Sequence, residues 1–317
     1  MKRSAQAIVL GTRGSELALT QTRMVQERLR QAGFEHPIEV RIIQTTGDRR
    51  QDLRLAAPEL DKAVFTKELE EALCAGEIDA AVHSLKDVPT LLDARCELAA
   101  VLPRAPVEDV LITKVPGHAA QGLASLPPGA VVATSSLRRA YQLRRHRPDL
   151  STVDIRGNVP TRLRKVAELE EIDATILARA GLERLGFPLQ GSTLELEGGK
   201  TVGIHVLPPT LLLPAASQGA IALEIRAGDS ATAAILRRIN DDPTWNRIRM
   251  ERAFLAAIGA GCQTPVGIYT QLEEDGATLA AEAIVFEITG GNPRCGRIKG
   301  PAAASEQLAR ELSEDLS

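Results

Sequence analysis

Three short stretches combine a hydroxyl or a glycine with arginine just where a helix is about to begin. They are Gly11-Thr12-Arg13-Gly14-Ser15, Thr134-Ser135-Ser136-Leu137-Arg138-Arg139, and Arg156-Gly157-Asn158 with Arg162. A helix N-terminus presents unpaired N–H groups and about half a positive charge, so it attracts anions. Cations are disfavoured in a first helical turn, and Arg138 and Arg139 there make sense if an external anion occupies the site. Arginine also matches a carboxylate with two parallel hydrogen bonds. One such junction alone reads more simply as a helix cap, Ser15 or Ser135, with arginines that are solvated or paired to acids. Three of them at the C-terminal ends of strands, where open α/β sheets bind ligands, point to a polyanion site. Neither GxxxxGK[ST] nor GxGxxG is present, so a ligand with several carboxylates fits better than a phosphate.

Two further places carry reactive groups. His83-Ser84-Leu85-Lys86-Asp87-Val88-Pro89 follows directly on an apolar run at 79–83. A carboxylate beside a lysine at a strand end is placed to face a cleft, where Asp87 could stabilise a developing cation or accept a proton. The plainer alternative is a surface Lys–Asp pair before a turn proline. Cys262 lies in Gly259-Ala260-Gly261-Cys262-Gln263, where glycines leave a thiol accessible. No His–Asp partner stands nearby, so a papain-like nucleophile is not expected, whereas an attachment cysteine needs only exposure. Read singly, each of Cys74, Cys96, Cys262 and Cys295 is a small buried hydrophobe.

The elements that must position these residues alternate between strand and helix. Ile8–Gly11 reads as a strand, followed by a helix capped by Ser15 and closed by Gly33. A strand at 38–44, a helix at 67–75 ended by Gly76, and a buried strand at 79–83 follow. After a break at Pro103–Pro106 the pattern restarts: strand 131–134, helix from Ser135 to about His146, strand 152–155, a helix with Pro160 in its first turn, and strand 174–178. This β-α-β patterning predicts mainly parallel sheets in two α/β lobes, with crossings near 103–108 and 205–215. A polar stretch at 191–203 reads as a hairpin or surface insertion. From about 240 a helix at 244–258, the Cys262 loop, strand-like segments and a last helix near 304–316 predict a small α+β domain.

Composition narrows the class of function. The 317 residues allow two or three domains, and 44% hydrophobic with 25% charged residues is ordinary for a folded, soluble protein. A net charge of −3 gives no reason to expect nucleic acid or an acidic membrane. No apolar run approaches the roughly 20 residues that span a bilayer, and the apolar stretch after Lys2 and Arg3 is too short for a signal peptide, so a cytoplasmic protein is expected. Four scattered cysteines without a CxxC pair, and five histidines without HExxH, argue against a disulfide framework and a metal site.

Taken in order, GTRGSELAL (11–19), FTKELE (65–70), AAVHSLKDVPT (80–90), TSSLRRAYQL (134–143), IRGNVPTRL (155–163), LARAGLERLG (177–186), LPAASQGAIALE (213–224) and GAGCQTPVG (259–267) resemble the porphobilinogen deaminase (hydroxymethylbilane synthase) family. The resemblance runs from about residue 8 to 270 and weakens after that. It implies two periplasmic-binding-protein-like α/β lobes of type II plus a small C-terminal α+β domain. The first lobe would be discontinuous, 1–104 with 216–237, around a second at 105–215 and a third domain at 238–317. It also implies a dipyrromethane cofactor held by a thioether to Cys262, with no metal or nucleotide. Porphobilinogen would lose ammonia to give an azafulvene, which the free α-position of the growing chain attacks. After four rounds, hydrolysis would release hydroxymethylbilane.

By the same resemblance Asp87 is the catalytic aspartate. Lys86, Ser136, Arg138, Arg139, Arg162, Gln218 and Gly219 would bind the cofactor, and Arg13, Ser15, Phe65, Arg156 and Arg184 the substrate. A monomer is expected. The chain departs from the family pattern in three places: the 58–64 loop keeps only Lys62 of two lysines and gains Pro58 and Asp61, Ser217 stands where glycine is common, and 191–203 is longer than expected. Two rival readings remain at this point: a non-catalytic two-lobed polycarboxylate-binding protein, and a nucleotide-dependent transferase, against which the missing phosphate loops argue.

Overall fold

The computed structural model describes residues 7–45, 66–260, 264–288 and 290–316. Phe65, Cys262 and the 58–64 loop lie outside the described residues.

Ile8–Thr12 (β1) is buried along its whole length, as its continuous apolar run requires. Ser15 then accepts a hydrogen bond from the Ala18 N–H and starts α1, Glu16–Gln31, which Gly33 follows at φ +79°. Ile38–Ile42 (β2), Lys67–Cys74 (α2), Ala80–Ser84 (β3) and Cys96–Val101 (β4) come next. The chain then leaves to build a second sheet from Asp109–Thr113 (β5), Val131–Ala133 (β6), Ser151–Val153 (β7), Ala174–Ala178 (β8), Thr193–Glu195 (β9) and Thr201–Leu207 (β10). It returns as Ile221–Arg226 (β11). The first sheet has the order β2-β1-β3-β11-β4 and the second β7-β6-β8-β5-β10-β9.

Both sheets are mixed with a parallel majority: β11 alone is reversed among the five strands of the first, and β5 and β9 among the six of the second. β1, β2 and β3 run parallel, as do β6, β7 and β8, but β11 is antiparallel to β3 and β4, and β5 to β8 and β10. The reason is the double crossing. A strand that enters a sheet from the neighbouring lobe arrives at the edge where the parallel strands end, and so runs back against them. The crossings span 102–108 and 208–220, the second starting later than the sequence predicts because β10 continues to Leu207. The 191–203 insertion is a hairpin, β9 paired antiparallel with β10.

Each sheet has its own core, Leu10, Val25, Leu29, Val82 and Leu223 in the first and Val110, Ile112, Leu163 and Ile204 in the second. At about 1.5–3 kcal/mol for each large side chain buried, these cores can hold a polar, charged edge between them. A third sheet, Val266–Leu272 (β12), Thr278–Val285 (β13) and Arg294–Pro301 (β14), is antiparallel throughout. Met250 and Phe254 of one helix, Asp242–Ala257, and Leu308 and Leu312 of another, Ser305–Glu314, complete its core. The fold is thus two α/β lobes and a C-terminal α+β domain. No helix among the described residues is long and apolar enough to cross a membrane.

Candidate active site

Because β1 and β3 are parallel neighbours, their ends bring Arg13 and Ser15 to the same sheet edge as Lys86 and Asp87. β6, β7 and β8 do likewise for Ser136, Arg138, Arg139, Arg156, Arg162 and Arg184 in the other lobe. Both crossings also meet these edges: Ile221 pairs with Ser84, and Asp109 with Ala178.

Leu85–Asp87 forms a single 3-10 turn at the end of β3. Leu85 and Val88 are buried on either side of it, and the Leu85 N–H donates to the Ala220 carbonyl. Ser84 is held by Gln21 of α1, whose Nε2 donates to its Oγ at 2.7 Å. The two apolar anchors leave Lys86 and Asp87 no direction but outward. Asp87 is exposed, and neither charged group makes a hydrogen bond or ion pair with any described residue. Lys86 keeps some accessible surface, yet the protein around its amine pushes its pKa down to about 8; Asp87 pulls it back part of the way, and Arg139 and Arg138 push it further down.

Across from this turn stand the arginines of the second lobe. Leu137–His146 (α3) is capped by Ser136, not Ser135. Ser135 instead donates to the Ile155 carbonyl and accepts from the Ile155 N–H, fastening this junction to the next. Val159–Glu168 (α4) is capped by Asn158. Burial pushes Arg162 down to about 10, Arg139 and Arg156 push the same way, and Asp87 opposes them. Its Nε donates to the Gly157 carbonyl, while the Arg156 side chain has no hydrogen-bond or ion-pair partner among the described residues.

Arg138 and Arg139 are buried and find their anion inside the protein, in Asp109 at the start of β5. The sequence alone points these two to an external anion rather than to Asp109. One of two adjacent acids, Glu108 and Asp109, between Pro106 and an apolar strand is a faint signal, and only the crossing of the chain makes Asp109 the neighbour of residues 29 and 30 positions on. Gln218 donates to Asp109 Oδ1 at 3.0 Å and to the Val107 carbonyl at 2.7 Å, so it stitches the two crossings together. Arg184, of the helix Arg179–Arg184, reaches the Gly219 carbonyl at 2.6 Å, at the crossing and not among the Lys86 cluster. Burial lowers its pKa to about 10. Gly219 has φ +85°, and a Cβ there would lie 2.4 Å from the Ala105 carbonyl, so no other residue fits.

Two more anchoring groups, the buried Glu251 and the half-buried Arg252, carry no signal in the sequence. Glu251 takes both Nη atoms of Arg104, the Thr270 hydroxyl and the Ser217 N–H, which fixes the third domain to both crossings. Arg252 donates to the Pro89 and Thr90 carbonyls, just past Asp87. The helix Asp242–Ala257 is thus anchored beside Asp87, and β12 is tied to the second crossing by the Ile268 N–H, which donates to the Pro214 carbonyl.

Five cations, Lys86, Arg138, Arg139, Arg156 and Arg162, thus share one edge with two carboxylates, Asp87 and Asp109. Arg138 Nε and Arg184 Nε are buried with no partner among the described residues. That edge defines a two-lobed α/β protein with a cleft built for a polycarboxylate and, within it, one aspartate that has no partner among the described residues. The family model for the porphobilinogen deaminase dipyromethane cofactor binding domain matches residues 8–234, and that for the porphobilinogen deaminase C-terminal domain residues 245–317. The porphobilinogen deaminase of Thermus thermophilus is 42% identical, with 98% of this chain and 95% of that protein covered. That of Roseiflexus sp. is 47% identical, with 98% and 96% covered. The chain belongs to the porphobilinogen deaminase family. Among solved structures it is similar to the periplasmic VFT2 domain of Bordetella pertussis BvgS, with TM-score 0.41, 16% identity, and 78% of this chain and 93% of that chain covered, a likeness too distant to bear on function.

A dipyrromethane is the cofactor of this family, and the residues present fit it. Its carboxylates would meet the excess of cations and the unpartnered arginine N–H groups, and its pyrrole N–H groups the free Asp87 carboxylate.

Proposed function

We propose that the chain is a transferase that condenses four porphobilinogen molecules, each with loss of ammonia, onto a dipyrromethane joined to Cys262, and that it releases hydroxymethylbilane by hydrolysis. The observation that carries this reading is the Leu85–Asp87 turn, which presents a carboxylate and an amine, both unpartnered among the described residues, to an edge where those residues bring three more cations than carboxylates. When bound, the cofactor supplies the pyrrole α-carbon to which each incoming unit is joined.

Asp87 accepts hydrogen bonds from pyrrole N–H groups and offsets the positive charge that grows as ammonia departs. In a partly desolvated cleft such a fixed charge is worth more than in water. Lys86, Ser136, Arg138, Arg139, Arg162, Gln218 and Gly219 hold the cofactor, while Arg13, Ser15, Phe65, Arg156 and Arg184 take the acetate and propionate of porphobilinogen. Each condensation adds two carboxylates, which is why so many cations converge in a protein of net charge −3. In this reading the domains are 1–104 with 216–237, 105–215, and 238–317, and the protein works as a cytoplasmic monomer without nucleic acid. The sheet memberships support those limits.

The test is an intact-mass spectrum of the purified chain beside Cys262→Ala. The expected result is an added mass of two joined pyrroles in the first and the bare polypeptide in the second. A bare polypeptide in both, after expression in a host that makes porphobilinogen, would overturn the reading.

A further inference from the structure

The polar groups around Asp109 are more fully paired than those around Asp87, and the pairing is directed at the two buried arginines. Asp109 Oδ2 accepts from Arg138 Nη2 at 2.7 Å and from Arg139 Nε at 3.2 Å. Oδ1 accepts from Arg139 Nη2 at 2.7 Å and from Gln218 Nε2 at 3.0 Å. With two donors on each oxygen, this carboxylate has no capacity left for a ligand N–H. Each arginine is also tied to a backbone carbonyl, Arg138 Nη1 to Leu213 and Arg139 Nη1 to Ile176. Even so, neither guanidinium is exhausted: Arg138 Nε is buried without a partner, and each keeps further N–H groups.

Two guanidiniums one residue apart in the first turn of α3 repel each other and the positive end of that helix. Both are 6% exposed, so water cannot relieve the repulsion. Only an anion between them keeps both forks in one orientation.

We propose that Asp109 is a positioning residue for the reaction: it splits its carboxylate between Arg138 and Arg139 and so aims their remaining N–H groups at the carboxylates of the bound pyrroles. This rests on the reading of the cleft given above. It goes beyond that reading in assigning a role to a residue that no ligand can touch. Gln218 gives the arrangement its reach, because it holds the same oxygen from the returning crossing and so ties the aim of the arginines to the seam between the lobes.

The experiment compares the full chain with Asp109→Ala and Asp109→Asn by intact mass, thermal unfolding, and kcat and KM for porphobilinogen. Wild-type protein that carries the pyrrole mass and consumes porphobilinogen secures the underlying reading independently. In Asp109→Ala, KM in the cofactor-bearing fraction is expected to rise about ten-fold or more, the size that goes with losing a charged hydrogen-bond partner. Sodium formate, a carboxylate small enough for the space left, is expected to reverse most of that rise, and sodium chloride at equal ionic strength is not. If either variant accumulates no cofactor, the readout is the pyrrole mass gained on incubation with porphobilinogen, which formate should promote. A KM within about two-fold of wild type overturns the proposal, as does a defect on which formate acts no better than chloride, since residues that serve stability alone would give that result.

Discussion

Asp87 and Asp109 belong to one cluster of cations, Asp87 near Lys86 and Arg162 and Asp109 bound to Arg138 and Arg139, and could hardly be more different as carboxylates. Asp87 is exposed on a one-turn helix and has no partner among the described residues. Asp109 is 1% exposed, has all its acceptor capacity filled, and is held far below the usual carboxylate range by Arg138 and Arg139 against a burial that raises it. The fold spends its saturated acid on shape and keeps its unsaturated one for a ligand. Polar groups of this protein can be sorted by that criterion: full pairing marks a group that builds the cleft, and missing partners mark a group that works in it.

The sharpest way to break the comparison is Asp87→Ala. No described residue would lose a partner, so the unfolding temperature should stay within about 2 °C of wild type, the range of a surface substitution. Turnover of porphobilinogen should nevertheless fall about 10³-fold, the scale of losing a fixed charge aimed at a transition state. Near-normal turnover would show that the free carboxylate is not where charge develops.

Glu251→Ala tests the other side. Like Asp109, Glu251 is saturated, and its partner Arg104 is almost as deeply buried, with 0% and 2% of the side chains exposed. Removing it leaves an unpaired buried guanidinium, which costs about 3–5 kcal/mol. Thermal and urea unfolding should both shift accordingly, while KM in the protein that remains folded changes little. A large KM change at unaltered stability would mean that Glu251 belongs with Asp87.

Between these poles stands Lys86, unpartnered but pressed down to about 8 by burial. Below that value the amine is protonated and attracts carboxylates, and above it the charge is lost. Cofactor assembly on the apoprotein, which reports the empty site, should therefore slow as pH rises through about 8. In Lys86→Arg that slowing should move to higher pH, because a guanidinium keeps its charge. An identical profile in the variant would remove Lys86 from the carboxylate-binding set.

The same criterion explains what could be read from the sequence. Unpaired groups announce themselves locally: Lys86-Asp87 between Leu85 and Val88, and arginines in a helix's first turn, are visible in the string of residues. So are the caps, although Ser135 and Ser136 are both hydroxyls and only the structure separates the cap from the clasp on Ile155. Saturated groups do not show in this way. Asp109 is paired to residues 29, 30 and 109 positions away, and Glu251 to Arg104 across 147. Strand direction was hidden for the same reason, since the apolar runs of β5 and β11 look alike in either orientation.

The smallest effect concerns a residue that fits neither class. Ser217 is 1% exposed, its Oγ has no partner, and its φ of 63° lies in the left-handed region, the only such value among the described residues other than glycine. Its backbone is held there from outside, by the Glu251 carboxylate on its N–H and by Gln218 and Ala220 in the turns on either side. A non-glycine residue in that region costs about 1–2 kcal/mol, and a buried hydroxyl without a bond adds to the cost. Glycine would remove both, at the expense of about 0.5–1 kcal/mol of extra freedom in the unfolded chain. Ser217→Gly should therefore stabilise by roughly 1 kcal/mol, visible as a rise of about 1–2 °C in the unfolding temperature. Activity should be unchanged if the hydroxyl is only a cost of position. A more stable but slower enzyme would instead place Ser217 Oγ with Asp87, among the groups left unpaired because a ligand completes them.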